Sequence, residues 1–113
     1  MQARLKTSLW VEAHLRQRFA AGMPSFVIAK GDADRGGVIL KVNRFSHGIT
    51  VFEQTLDFDG NKMWRKIGEF AANDEKSADQ LLAKKRQYDP DIWLLEIEDH
   101  QARYSPDAPI SDF

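Results

Sequence analysis

The densest set of groups able to do chemistry lies near the C-terminal end of the chain. There Asp91, Glu96, Glu98 and Asp99 fall within nine residues, around the apolar run Ile92-Trp93-Leu94-Leu95 and Ile97. If that run is a strand, alternation points Glu96 and Glu98 to one face, and Asp91 and Asp99 with Trp93 to the other. Two carboxylates on one face can hold Mg²⁺ or Mn²⁺ with water completing the shell, as a metal-dependent hydrolase needs. The plainer reading is a strand end kept soluble by its charges, and charge runs are usually solvated faces.

Other constellations are thinner. Pro90-Asp91 followed by Glu96-Ile97-Glu98 resembles the Pro-Asp, acid-x-Lys pattern of metal-dependent nucleases, but Glu98 stands where the assisting lysine belongs. Residues 31–37 (GDADRGG) suggest a calcium loop, yet Gly36 and Asn43 fall at ligand positions and leave too few oxygens. A glycine-rich turn explains the segment at lower cost, with Arg35 and backbone N–H groups as a weak anion site. Arg44, Phe45, Lys62, Trp64, Arg65 and Lys66 interleave cations with aromatics, as single-strand stacking platforms do. The sequence pI of about 6.3 argues against that footprint. His14, His47 and His100 are scattered and suggest no metal site.

Several elements must position these groups. Residues 7–21 read as a helix, capped by Thr7 or Ser8 and stopped by Gly22 and Pro24. Val11, Leu15 and Phe19 form one apolar stripe, with Leu9, Ala13 and Ala20 beside it. Trp10 falls outside both, near His14 and Gln17, so these three form a candidate partner-binding patch. The competing reading of Trp10 is a residue covering the edge of a core. Strand character follows over residues 25–30, 37–45, 49–57 and 62–70, and Asp59-Gly60 marks a hairpin. Ser77-Ala78-Asp79-Gln80 matches a capping box for a second helix that ends near Tyr88. The final strand is so apolar that it needs neighbours on both sides.

Composition bounds the class. The 113 residues suffice for one modest core, and a hydrophobic share of 42% with 29% charged residues is that of a globular chain. The absence of cysteine excludes a disulfide framework and fits a cytoplasmic protein. No apolar run approaches a membrane span. Lys and Arg outnumber Asp and Glu by 11 to 6 up to Lys66, and the balance turns to 5 against 11 beyond it. Such a split suits self-association only if the fold keeps the halves apart.

Trp10-Val11 with Ala13, Lys30-Gly31-Asp32 before a glycine-led strand, and Asp59-Gly60 followed by Trp64 recur with a more specific ending. That ending is Asp89-Pro90-Asp91-Ile92-Trp93 with Glu96-Ile97-Glu98-Asp99. Together they resemble a small alphaproteobacterial family, domain of unknown function 1491, over nearly the full chain. The resemblance implies a cytoplasmic single domain and carries over no activity, ligand or catalytic residue.

The sequence thus predicts an α+β fold: an N-terminal helix, a four-stranded antiparallel meander, a second helix and a final buried strand. One domain spans residues 1–99, and 100–113 form a polar, mobile C-terminal tail laid along the surface. The leading expectation is a small non-enzymatic interaction or accessory domain, with a second copy or another protein as partner. A metal-dependent hydrolase or nuclease using Asp91, Glu96, Glu98 and Asp99 is the alternative, and a weak single-stranded nucleic-acid binder the third. No cofactor, metal or membrane is expected.

Overall fold

The computed structural model describes residues 5–107 and 110–111. The order is α1 (Thr7–Ala20), β1 (Ser25–Ala29), β2 (Val38–Asn43), β3 (Ile49–Leu56), β4 (Lys62–Phe70), α2 (Glu75–Tyr88), β5 (Trp93–Glu98) and β6 (Ile110–Ser111). A single 3₁₀ turn, Phe45–His47, joins β2 to β3.

Over the described residues the fold is α+β with two helices and a mixed sheet in the order β1-β5-β2-β3-β4-β6. This corrects the four-stranded meander. Only β2, β3 and β4 pair antiparallel in succession, and β5 inserts between β1 and β2. It runs antiparallel to β1 and parallel to β2. Burial explains the order. Every residue of β2 is buried, and so are Trp93, Leu94, Leu95 and Ile97 of β5. Strands apolar on both faces belong in the middle of a sheet. The parallel pair requires a long crossover, which β3, β4 and α2 supply. β1 is left at the edge with Phe26 and Ile28 each 43% exposed.

The sheet has a core on each face. On one, Val38, Leu40 and Val42 pack with Phe52, Trp64, Trp93, Leu95 and Ile97 under Val11 of α1 and Tyr104. On the other, Ile39, Ile49, Val51, Ile92 and Leu94 meet Ala78 and Leu82 of α2.

Both helix starts differ from expectation. In α1 neither Thr7 nor Ser8 caps; Lys6 is the N-cap residue and makes no side-chain cap bond. The 33–36 loop satisfies the helix start instead. Ser8 N–H donates to the Ala33 carbonyl at 2.9 Å, and the Thr7 hydroxyl to the Gly36 carbonyl at 2.8 Å. The inward face is Trp10, Val11, His14 and Leu15, while Leu9 and Phe19 are 49% and 59% exposed. Gly22 ends the helix at φ 80°, where Met23 N–H returns to the Arg18 carbonyl at 2.8 Å. In α2 the cap is Asp74, whose carboxylate accepts from the Ser77 hydroxyl at 2.8 Å. The predicted box at Ser77 therefore falls inside the first turn.

The 31–37 loop closes around the turn before β5. Asp32 N–H donates to the Asp91 carbonyl at 2.8 Å, and a Cβ on Gly31 would stand 2.0 Å from that oxygen. No flexible side chain is available there to move aside. Gly31→Ala is expected to cost about 2 kcal/mol by forcing this backbone contact apart, measured as a lowered urea midpoint. A midpoint unchanged within error would contradict the close approach.

Candidate functional site

The four carboxylates of the acidic ending do not converge. Glu96 faces the α2 side, 3.3 Å from the ammonium of buried Lys41. Lys41 also donates to Glu75 at 2.6 Å and Asp79 at 2.7 Å, both on α2. Burial alone would lower the lysine's pKa, but the bonds to Asp79 and Glu75 and the charge of Glu96 raise it above its ordinary value. This cluster ties helix to sheet. Asp99 is wholly buried and accepts from Tyr104 N–H at 2.8 Å, Arg103 N–H at 3.0 Å and Arg44 Nε at 3.4 Å. Asp91 lies exposed in the turn before β5, and Glu98 is half-buried at the strand's end. Among the described residues, no three His, Cys, Asp or Glu side chains are placed to hold a metal ion. In the 31–37 loop the Asp32 carboxylate is engaged by Asp34 N–H at 3.2 Å and Arg35 N–H at 2.8 Å. Those bonds make it a turn.

Trp10 and His14 gather a different set. The two rings stack at 4.6 Å, and Trp10 lies 5.8 Å from the buried Trp64 ring. His14 Nε2 is 2.9 Å from the Tyr104 hydroxyl, and the Arg18 guanidinium stands 5.5 Å from the Tyr104 ring centre. Burial, with the charge of Arg18, pushes His14 down to about 4. Burial and the nearby Asp107 charge push the Tyr104 hydroxyl up. Gln17, the third member of the predicted patch, is exposed.

Asp107 completes the set. Trp64 Nε1 donates to its Oδ1 at 2.9 Å and Trp10 Nε1 to its Oδ2 at 3.0 Å. The Lys62 ammonium is 3.8 Å from the same carboxylate and 4.5 Å from the Trp10 ring centre. Burial raises the Asp107 carboxyl, but the indole bonds and the Lys62 charge outweigh it and hold the group below the usual carboxylate range. Tyr104 and Asp107 thus fold the segment after β5 over α1 and the sheet, while Pro109 lies outside the described residues.

Beside this cluster runs a groove of about 360 Å³ between the start of α1, the 35–38 loop and the β3–β4 hairpin. Thr7, Trp10, Arg35, Thr55, Leu56 and Lys62 line it, and its charged residues are the cations Arg35 and Lys62. Sequence reasoning passed over this groove because its residues come from three distant segments. Arg35 was marked as an anion contact, Trp10 as a partner-binding residue and Lys62 as part of a stacking platform, each apart from the others.

The family model for a protein of unknown function, DUF1491, matches residues 5–105. The chain belongs to the DUF1491 family. A crystal structure of a DUF1491 protein from Caulobacter crescentus CB15 matches with TM-score 0.85 and 31% identity, covering 96% of this chain and 100% of that one. An NMR structure of a DUF1491 protein from the same organism gives 0.82 at 31% identity, covering 98% and 100%. A solution structure of an A. tumefaciens protein shares the fold at TM-score 0.69 and 24% identity, covering 85% of this chain and 86% of that one. Among curated proteins, none matches.

In this DUF1491 chain the residues of the supposed stacking platform are otherwise engaged. Trp64 is fully buried, Phe45 stacks on His100 at 3.8 Å, and Arg65 and Lys66 pair with Glu53 and Glu69. No helix among the described residues is long and apolar enough to cross a membrane.

Proposed function

We propose that this DUF1491 chain is a small non-enzymatic binding domain of the bacterial cytoplasm that takes an anionic partner in the groove beside Trp10. The observation that carries this reading is the lining. Arg35 and Lys62 face the space with an indole between apolar walls, and among the described residues no carboxylate or histidine lines it. Such a groove attracts negative charge and offers hydrophobic contact, the pairing from which interfaces are built. The hydrolase alternative loses support because Glu96 is committed to Lys41 and Asp99 to backbone N–H groups. Titration of ¹⁵N-labelled protein with a glutamate-rich peptide at low salt is expected to shift Trp10, Arg35, Thr55 and Lys62. Replacing Arg35 and Lys62 with alanine is expected to remove those shifts. Shifts at Glu96 and Glu98 on adding Mn²⁺, with none in the groove, would instead restore the hydrolase reading.

A second copy of the chain is the competing partner, and the observation in its favour is β1. This edge strand exposes Phe26 and Ile28 on one face, as surfaces for strand pairing do. Self-association through β1 predicts concentration-dependent sedimentation that Phe26→Lys abolishes. A monomer at hundreds of micromolar rejects it.

A further inference from the structure

The contacts of Asp107 are more specific than fastening a chain end requires. Its two oxygens take separate indole N–H groups, one from α1 and one from β4, and Lys62 adds a cation. The Trp64 ring is fully buried, yet its polar N–H reaches a carboxylate on an exposed residue. Three and four residues further on, Ile110 and Ser111 pair in parallel with Trp64 and Arg65. That pairing covers two of the nine residues of β4; among the described residues the rest of its outer edge has no partner strand. The carboxylate seat and the groove share Trp10 and Lys62, so one surface offers a carboxylate site, a cationic trough and an open strand edge.

We propose that this surface recognises an extended acidic peptide. An Asp side chain of the peptide sits between the indoles of Trp10 and Trp64, and the residues three and four positions later add as a parallel strand to β4. Asp107, Ile110 and Ser111 of the chain occupy the site in cis. The proposal rests on the groove reading above and names its partner. A peptide fits better than a small anion because main-chain pairing on β4 accompanies the carboxylate contact, and β-augmentation gives affinity through the backbone. It fits better than a nucleic acid because His14 stacks on Trp10 and Trp64 is buried, so neither ring offers a free platform for a base.

The test uses the full chain and a synthetic peptide of its own residues 105–113, with a version carrying asparagine in place of Asp107. The cis segment competes at an effective concentration of order millimolar, so the wild-type chain is expected to bind the peptide at least about tenfold more weakly than the Asp107→Asn chain. The peptide is expected to shift the indole N–H resonances of Trp10 and Trp64, and the asparagine peptide to bind the same variant at least about tenfold more weakly. Ile110→Pro frees the strand edge without disturbing the indoles and is expected to raise affinity in the same direction, which guards against a misfolded Asp107→Asn chain. Equal affinity of wild type and both variants, or of the two peptides, overturns the proposal. If the glutamate-rich peptide still shifts Arg35 and Lys62 in that case, the groove reading stands and the peptide seat alone has failed.

Discussion

Replacing Trp93 with alanine is expected to destabilise the protein by about 3–5 kcal/mol, the range for emptying a buried indole site. Trp93 is 6% exposed and packs in the core beneath α1. Its loss removes apolar burial and leaves a cavity between strands too constrained to collapse. It also removes a hydrogen bond, because Nε1 donates to the Asp32 carbonyl at 2.8 Å. That bond anchors the loop whose Ala33, Asp34 and Gly36 carbonyls receive the start of α1. The damage therefore spreads from the sheet to the groove. Trp93→Phe separates the parts: it keeps most of the volume and loses the N–H, at a cost nearer about 1–2 kcal/mol. Urea unfolding of the three proteins measures both. A loss under about 1 kcal/mol for the alanine variant would remove β5 from the centre of the fold.

The central place of β5 was legible because a six-residue apolar strand has to bury both faces. Its neighbours were not. Alternation reports which face a residue occupies and says nothing of which strand lies beside it. The one hint was β2, where Val38, Ile39 and Leu40 run without a polar break and Lys41 sits among apolar residues. A lysine within a strand ordinarily marks a solvated face, and that signal hides the strand's interior place. Its ammonium is buried because Glu75, Asp79 and Glu96 receive it. The inward face of α1 was missed for a related reason. Trp10 and His14 face inward there, and apolar periodicity does not register polar tips whose partners come from the far end of the chain. Trp10 was singled out as falling outside both apolar stripes, but the carboxylate it serves lies 97 residues away in a segment read as a loose tail. The groove was invisible in the sequence, since its walls meet only through the loop that receives α1.

His14 supplies the second large effect, a loss of stability in mild acid. Burial among Trp10, Arg18, Lys62 and Tyr104 pushes its pKa down to about 4, against 6.5 for an unperturbed imidazole. The neutral ring can accept the Tyr104 hydroxyl's bond, whereas a charged ring would have little solvent and stand near two cations, which the Asp107 carboxylate offsets only in part. As pH falls the unfolded chain takes up this proton first, near 6.5, while the folded chain refuses it until about 4. Stability is therefore complete above about pH 6.5 and drains away through that window, by about 2.5 kcal/mol at pH 4.5. Other groups act lower down. Asp107 and Glu53 have depressed pKa values, so their contributions are lost mainly as pH falls below their unfolded values of 3.8 and 4.5. Between pH 6.5 and 4.5 the slope belongs chiefly to His14. Denaturant midpoints across that range measure it, and His14→Gln, which keeps an acceptor for Tyr104 and cannot titrate, is expected to flatten the profile. A wild-type profile already flat from pH 7 to 4.5, or an NMR titration placing His14 near 6.5 in the folded protein, would show that the ring is open to protons and that the segment carrying Tyr104 and Asp107 does not seal it.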